Sequence, residues 1–173
     1  MSKVIYFNDQ GDLKVPIKNT IIEKNKLYIL IGIPCSGKST YISKYLNNPK
    51  TIIVSSDKIR KDLTGTYEFS SENNNLVFDI VKNEVQSALS KRINVVVDAT
   101  NTNKKYRKDL IKISKGCDCN TIAIVFKTPL SICLERNYKR CAEKRVPEEI
   151  IIRMAQFDNN IKITEGFDEI YYV

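Results

Sequence analysis

Short apolar runs alternate with longer amphipathic segments along most of the chain. The runs are almost continuously apolar, which is typical of strands buried on both faces of a sheet. The segments between them have helical spacing: Leu76, Ile80 and Val81 share a face with Val85 and Leu89. The runs predict strands at 26–32, 51–54, 93–99, 121–126 and 169–173.

Helical segments separate these strands. Pro147 stands at the start of one of them, with Glu148 and Glu149 in the first turn, where the helix dipole favours acidic side chains. The sequence therefore predicts an α/β fold with a mainly parallel five-stranded sheet and helices on both faces. The predicted helices are 38–46, 58–63, 72–90, 104–115, 129–139 and 146–157.

The first 25 residues follow a different pattern. Residues 3–7 and 13–17 flank the turn-forming stretch "NDQGD", which predicts a β-hairpin. We therefore expect an N-terminal hairpin extension over 1–25, to which the sequence assigns no role, ahead of the main domain at 26–173.

Length and composition narrow the class of protein. The 173 residues are 42% hydrophobic, which fits one globular domain with a sizeable core. No apolar run reaches the roughly 18 residues of a membrane span. The N-terminal stretch "MSKVIYFNDQGD" lacks the apolar segment of a signal peptide, so we expect a cytoplasmic protein with no membrane partner. The five cysteines are expected to be free thiols, and nothing indicates a protein partner.

Charge and the missing histidine limit the chemistry. The net charge of +8 points to an anionic partner, although lysine here accompanies abundant Asn and Ile and is in part a compositional bias. The chain contains no histidine, which excludes Ser-His-Asp and Cys-His sites and metals held by histidine. A general base must therefore be a carboxylate, Lys, Tyr or Cys.

One loop carries a phosphate-binding motif. Gly32, Gly37, Lys38 and Ser39 satisfy the spacing GxxxxGK[ST] between a predicted strand and a predicted helix. In such a loop the backbone N–H groups surround nucleotide phosphates, the lysine reaches the terminal ones and the hydroxyl ligates Mg²⁺. The motif predicts binding of ATP or GTP, with Ser39 as the metal ligand. The other nucleotide-binding positions in the loop are Pro34, Cys35, Ser36 and Thr40.

GTPase signatures are incomplete. "DLTG" at 62–65 resembles a switch motif but follows a short helix instead of a buried strand. "NKKY" at 103–106 ends in Tyr where a guanine-reading motif needs Asp. The sequence therefore argues against a signalling GTPase and leaves a motor ATPase or a kinase.

Two predicted strands end in acidic residues. Asp57 follows the strand at 51–54, and Arg60 lies on the same helical face three residues later. The carboxyl ends of parallel strands face the ligand, so Asp57 could accept a proton from an attacking hydroxyl while Arg60 holds a phosphate of the acceptor. The alternative is a helix-capping Asp57 in a solvent-facing ion pair. Asp98 ends the next strand, where it either serves the site or caps the turn.

Further candidates follow in the chain. Thr100 and Asn101 extend the site past Asp98, and the basic helix at 103–115 could steer a polyanion or simply be solvated. Arg107 on that helix is assigned to the acceptor. Arg136 and Arg140 begin a basic segment around 134–147, predicted to be a lid that brings arginines to the transferred phosphoryl group; a solvated basic surface is the alternative.

Together the stretches "GIPCSGKST", "SSDKIR", "VVVDATN", "LERNYKR" and "RVPEEIIIRM" resemble the P-loop kinase domain of polynucleotide 5′-hydroxyl kinases of the bacteriophage type. The resemblance covers roughly 26–173. It implies transfer of the ATP γ-phosphate to a 5′-hydroxyl of DNA or RNA, with Lys38 and Ser39 serving ATP and Mg²⁺. Asp57 would be the general base, and Arg60 would contact the acceptor's phosphate.

The resemblance also implies that Asp98 helps to organise the site, that Arg140 is the catalytic lid arginine and that Arg136 lies near the nucleotide. Cys35 departs from the pattern, because phage-type loops often have Gly there. Its position beside Lys38 and a helix N-terminus predicts a thiol that readily loses its proton, and the alternative is an inertly packed side chain turned away from the phosphates. Two alternatives to a polynucleotide kinase stay open: a kinase of nucleosides, nucleotides or other small molecules, and a P-loop ATPase without an acceptor.

Overall fold

The computed structural model describes residues 6–7, 13–14, 24–68 and 70–173. Two short strands near the N-terminus, β1 (Tyr6–Phe7) and β2 (Leu13–Lys14), pair antiparallel, with Tyr6 opposite Lys14. These strands lie in the segment for which the sequence predicts a hairpin. The rest of that prediction falls outside the described residues.

The main domain is an α/β fold around one five-stranded sheet, as the sequence predicts. The strand order is β4-β5-β3-β6-β7, and all four neighbouring pairs are parallel. Chain order therefore reverses at the central strand β3, which has β5 on one side and β6 on the other. Such a switch point opens a crevice at the carboxyl ends of the strands. The strands are β3 (Lys26–Ile31), β4 (Thr51–Ser55), β5 (Asn94–Asp98), β6 (Asn120–Val125) and β7 (Glu169–Tyr172).

Within the described residues, six α-helices connect the strands, at or near the predicted positions. The helix after β3 is α-helical over α1 (Lys38–Tyr41) and continues as a π-helix over Ile42–Leu46. A single 3₁₀ turn, Ala142–Lys144, lies between the last two helices, and another, Ile163–Glu165, precedes β7. The other helices are α2 (Ser56–Thr64), α3 (Ser71–Ser90), α4 (Lys104–Gly116), α5 (Leu130–Tyr138) and α6 (Glu148–Ala155).

Helices cover both faces of the sheet because successive strand residues point to opposite sides. Ile29 of β3 belongs to the larger apolar cluster, which includes Val81 of α3 and Leu110 of α4. Leu30, the next residue, packs on the other face with Ile42 after α1. β3 is therefore buried from both sides, which explains its continuous apolar run.

A third apolar cluster holds the last two helices against the phosphate-binding loop. It contains Ile33 of the loop, Cys133 of α5 and Ile151 of α6, all of them buried. This cluster anchors the ends of the segment predicted to be a lid. Among the residues that the structure describes, no helix is both long enough and apolar enough to span a membrane.

Candidate active site

The loop at 32–37 joins β3 to α1 and can adopt its shape because it has glycines at two positions. A Cβ on Gly32 would lie 2.7 Å from Ser36 Oγ and 2.9 Å from Phe126 Cβ, so no side chain fits there. Gly37 has φ of 101°, in the left-handed region that favours glycine. The N–H of Gly32 donates to the carbonyl of Thr100 at 2.9 Å, which ties the loop to the end of β5.

Lys38 is almost completely buried beneath the loop. Its ammonium donates to the carbonyl oxygens of Gly32 and Ile33, both at 2.8 Å. Burial lowers the pKa of Lys38 to about 8, and the nearby carboxylates of Asp98 and Asp57 partly oppose that effect. Burial therefore disfavours the charged amine, and a nucleotide phosphate beside it would favour that charged form.

The carboxyl end of β4 presents the predicted acid and arginine as a pair. Ser55 caps α2, its hydroxyl accepting from the N–H of Lys58 at 3.4 Å, so the helix begins before Asp57. Arg60 Nη1 donates to Asp57 Oδ1 at 2.7 Å. The side chain of Arg60 is 9% exposed and that of Asp57 is 72% exposed, so a largely buried guanidinium holds a carboxylate at the surface of the cleft.

The carboxyl end of β5 brings Asp98 to the same edge, in register with Ser55 of β4. Burial raises the pKa of the Asp98 carboxyl, and Asp57 adds to the effect, whereas Lys38 opposes it. These mutual effects place Asp57, Asp98 and Lys38 within electrostatic reach of one another. The two acids therefore share this edge of the sheet with three cations, Lys38, Arg60 and Arg140.

Thr100 and Asn101 line the cleft but also support it from within. The carbonyl of Thr100 receives the bond from Gly32 described above. Asn101 is 2% exposed, and its amide donates to the carbonyl of Leu30 at 2.7 Å. Its backbone has φ of 47°, and its Oδ1 has no hydrogen-bond partner among the described residues. The structure thus gives Asn101 a clear part in holding the loop after β5.

Arg107 does not reach the cleft, contrary to its assignment to the acceptor from sequence. Its side chain is 3% exposed and makes a two-pronged ion pair with Glu165, with N–O distances of 3.0 and 3.1 Å. Its Nη1 donates to the carbonyls of Asn101 and Thr102 at 2.9 and 3.0 Å. A guanidinium bound in this way stabilises the loop after β5 through its carbonyl groups and is not free to hold a phosphate.

The segment between α5 and α6 closes one side of the cleft. Arg136 Nη1 donates to the carbonyl of Cys35 at 3.2 Å, and Arg140 Nη1 to that of Lys144 at 3.3 Å. Asn137 was not singled out from the sequence, yet it fastens this segment. Its amide donates to the carbonyl of Val146 at 2.7 Å, and its Oδ1 accepts from the N–H of Val146 at 3.0 Å. Only the tertiary structure shows that role, because the two residues are nine positions apart in the sequence.

These elements enclose a cleft of about 1470 Å³, called here the P-loop cleft. Gly32 and Arg107 are the two predicted site residues that do not line it. Tyr67, Phe78 and Tyr106 also line it and were missed. Phe78 and Tyr106 lie in helical patterns, where an aromatic residue usually belongs to the core, and Tyr67 lies between two predicted helices. The predicted residues that line it are Pro34, Cys35, Ser36, Gly37, Lys38, Ser39, Thr40, Asp57, Arg60, Asp98, Thr100, Asn101, Arg136 and Arg140.

The donor set suits a magnesium ion held together with a nucleotide. Ser39 is exposed on the cleft surface, and its hydroxyl and the carboxylate of Asp98 are the hard oxygen donors that Mg²⁺ prefers. Within the described part of the chain, no group of three His, Cys, Asp or Glu side chains could hold a metal alone. Magnesium usually completes its coordination with phosphate oxygens and water, so the residues present fit it.

The expectation of an activated thiol at Cys35 is wrong in direction. Burial raises the pKa of the Cys35 thiol, and this effect exceeds the opposing influence of Arg140, Lys38 and Arg136. Cys35 also has φ of 64°, which explains why glycine suits the position. Its Sγ donates to Asn137 Oδ1 at 3.9 Å, and the residue packs against the third apolar cluster while it also lines the P-loop cleft.

Comparison with known proteins agrees with this geometry. The L-seryl-tRNA(Sec) kinase of Methanococcus maripaludis is 34% identical over 137 residues, covering 74% of this chain and 50% of that protein. The adenylyl-sulfate kinase of Buchnera aphidicola is 29% identical over 122 residues, covering 65% and 55%. A chain of the Pnkp1/Rnl/Hen1 RNA repair complex superimposes with a TM-score of 0.70 at 27% identity, covering 87% and 49%.

The fold and the cleft define a P-loop domain of the type found in kinase phosphotransferases. The AAA_33 family model, described as an AAA domain, matches residues 27–158, and the chain belongs to that family. The chain spans about half the length of the curated relatives it matches.

Proposed function

We propose that this chain transfers the γ-phosphate of ATP to the 5′-hydroxyl end of a polynucleotide. The observation that carries the proposal is the Asp57–Arg60 pair, which faces the P-loop cleft within electrostatic reach of Lys38. A phosphotransferase needs a base for the attacking hydroxyl and a cation for the terminal phosphates. A nucleotide acceptor also carries a phosphate near its hydroxyl, and Arg60, beside the base, can bind that phosphate.

In the proposed reaction each side chain has one task. Lys38 binds the terminal phosphates of ATP, and the hydroxyl of Ser39 would hold Mg²⁺, which supplies charge neutralisation when bound. Asp57 Oδ accepts the proton of the 5′-hydroxyl as its oxygen attacks the γ-phosphorus, and ADP leaves. Arg140 meets the negative charge that develops on the transferred group, and Arg136 holds the nucleotide near the carbonyl of Cys35.

The acceptor class is supported by charge and by two of the relatives. The chain has a net charge of +8, which favours a polyanion. The similar chain of known structure belongs to an RNA repair complex, and the seryl-tRNA kinase acts, by its name, on a tRNA-linked serine. RNA is therefore the acceptor that we favour over DNA.

A second candidate is the seryl hydroxyl of a charged tRNA. The 34% identity to L-seryl-tRNA(Sec) kinase over 137 residues favours it. The chemistry at Asp57 would be the same, because a primary hydroxyl attacks the γ-phosphorus in both reactions. The two candidates differ in the group that carries the hydroxyl. In the polynucleotide it is a ribose that also bears a phosphate, and in seryl-tRNA it is an amino acid ester.

An acceptor screen with γ-labelled ATP tests the proposal. The arms are a 5′-hydroxyl oligoribonucleotide, the same oligonucleotide already phosphorylated, its DNA equivalent, seryl-tRNA with alanyl-tRNA as control, and adenylyl sulfate. We expect stoichiometric label on the 5′-hydroxyl oligoribonucleotide and none on its phosphorylated form. Label on seryl-tRNA alone would replace the proposal with the second candidate. Label on adenylyl sulfate alone, or release of labelled phosphate into water only, would refute both.

A further inference from the structure

Two aromatic rings in the P-loop cleft stack on each other without an evident role in phosphoryl transfer. Phe78 of α3 and Tyr106 of α4 have ring centroids 4.1 Å apart and an angle of 2° between their planes. Both line the cleft together with Asp57 and Arg60, and both are half-buried, so part of their apolar surface faces the cleft.

The orientation of the pair is held in place. The amide of Asn74 donates to the hydroxyl of Tyr106 at 3.0 Å. That bond joins the side chains of α3 and α4 at the same place as the ring stack. The two rings therefore form a fixed stack, and a flat ligand that packs on an outer face of this stack would bind at low cost in conformational entropy.

Other aromatic residues of the cleft are engaged differently. The ammonium groups of Lys61 and Lys144 lie over the ring of Tyr67, 5.2 and 5.4 Å from its centroid. Tyr41 packs edge-on against Phe126, with centroids 5.6 Å apart. Among the ring pairs of the described residues, Phe78–Tyr106 is thus the one with parallel planes, the arrangement to which a third planar group could add.

We propose that Phe78 and Tyr106 form a stacking surface for the nucleobase of the acceptor's terminal nucleotide. This inference rests on the proposed function, because it requires a nucleotide acceptor in this cleft. Every nucleobase has a π-face, so such a surface binds a terminal nucleotide of any sequence. Arg60 would then bind the phosphate and the aromatic pair the base, while Asp57 faces the hydroxyl.

Binding measured without ATP tests the stacking surface apart from transfer. Two oligoribonucleotides with a 5′-hydroxyl and a fluorophore at the 3′ end are compared, one with a normal 5′-terminal nucleotide and one with an abasic ribose there. We expect the abasic form to bind wild-type protein about tenfold more weakly. A third oligonucleotide with 2-aminopurine at the 5′ end should lose fluorescence on binding.

Variants show whether the rings cause the preference. Phe78→Leu and Tyr106→Leu should bind the abasic and normal forms almost equally, whereas Tyr106→Phe keeps a ring and should keep the preference. Tyr171→Leu is the matched control, because that tyrosine is 52% exposed on β7 and does not line the cleft. Equal binding of both forms by wild type, or a preference that survives both leucine substitutions, would overturn the inference.

Failure of the inference and failure of the proposed function have different signatures. Base-dependent binding without any label transfer from ATP would leave the stacking surface intact and remove the polynucleotide kinase. Label transfer with equal binding of the normal and abasic forms would do the reverse. No binding of any oligonucleotide would overturn both.

Discussion

Arg60 Nη1 lies 2.7 Å from Asp57 Oδ1, and the two side chains differ sharply in exposure, at 9% and 72%. The arginine is anchored in the fold and the carboxylate faces the cleft. An ordinary surface pair at this spacing has two mobile partners and contributes little. Here the buried arginine positions the acid, which makes the pair suited to a reaction in which the acid must meet a hydroxyl.

Asp57→Asn should lower kcat by roughly 10²–10⁴ with little change in ATP affinity, because the amide cannot accept the hydroxyl proton. Asp62→Asn is the matched control, since Asp62 is an exposed acid on the same helix and does not line the cleft. Steady-state kinetics with the preferred acceptor measures both. Full kcat in the Asp57→Asn enzyme would reduce Asp57 to a structural residue of α2.

Arg60→Lys keeps a charge but loses the forked donor set. We expect KM to rise about tenfold for a nucleoside 3′-phosphate, because its phosphate is on the same ribose as the reacting 5′-hydroxyl. The KM of the unphosphorylated nucleoside should change little. Arg153→Lys, at an exposed position on α6, serves as the control. An equal rise in KM for both acceptors would argue against a phosphate contact by Arg60.

ATP binding should take up protons at alkaline pH. The folded pKa of Lys38 is about 8 against 10.5 for a free lysine, so above that folded value the nucleotide-free protein has lost a proton that phosphate would restore. Calorimetry in two buffers of different ionisation enthalpy should report uptake approaching about one proton near pH 9 and little near pH 7. Lys38→Arg, which stays charged, should show none if it binds ATP. Uptake that persists in Lys38→Arg would assign the proton elsewhere.

The lowered pKa of Lys38 also makes the stability of the nucleotide-free protein depend on pH. Because burial lowers the pKa of Lys38, the unfolded chain binds more protons than the folded one between about pH 8 and pH 10.5. The free energy of unfolding of the nucleotide-free protein therefore gains a contribution from Lys38 as pH rises through that window. Lys38→Met should lack this gain in denaturant titrations, and an unchanged pH profile would contradict it.

Oligonucleotide KM should depend steeply on salt if the first turn of α4 binds phosphates. Lys104 and Lys105 are exposed there, next to cleft residues Thr102 and Asn103. Each phosphate contact contributes about 0.7 to the logarithmic salt slope for a single strand, so replacing both lysines by Glu should flatten it. The control carries the same charge change elsewhere, at Lys50 and Lys91. A salt-insensitive KM would favour a small-molecule acceptor.

Cys35 should react slowly with alkylating reagents. Burial raises the pKa of its thiol, whereas Cys141 is exposed. Mass spectrometry during iodoacetamide treatment should find Cys141 modified well before Cys35, since the thiolate is the reactive form. Cys35→Gly should remain folded and active, because the position has φ of 64°. Faster labelling of Cys35 than of Cys141 would restore the expectation of an activated thiol.

Much of this protein follows from local patterns. The apolar runs predict all five strands of the sheet. The inner strands β3, β5 and β6 must be apolar on both faces because both are covered, and the edge strands β4 and β7 keep apolar runs although part of each is exposed. The glycine and lysine spacing at 32–39 identifies the phosphate loop, since each position has its own steric or charge requirement. The i,i+3 spacing of Asp57 and Arg60 likewise puts them on one helical face.

The tertiary structure decides what each charged or aromatic residue does within that frame. Arg107 lies on the basic helix that the sequence assigns to the acceptor, but Glu165, 58 positions later, holds its guanidinium in a buried ion pair. The partner of Asn137 and the stack of Phe78 on Tyr106 depend on how helices pack. Burial also reverses the expectation for Cys35, because its desolvation outweighs the nearby cations. Long-range partners and solvent exclusion arise only when distant segments meet, so local sequence carries little information about them.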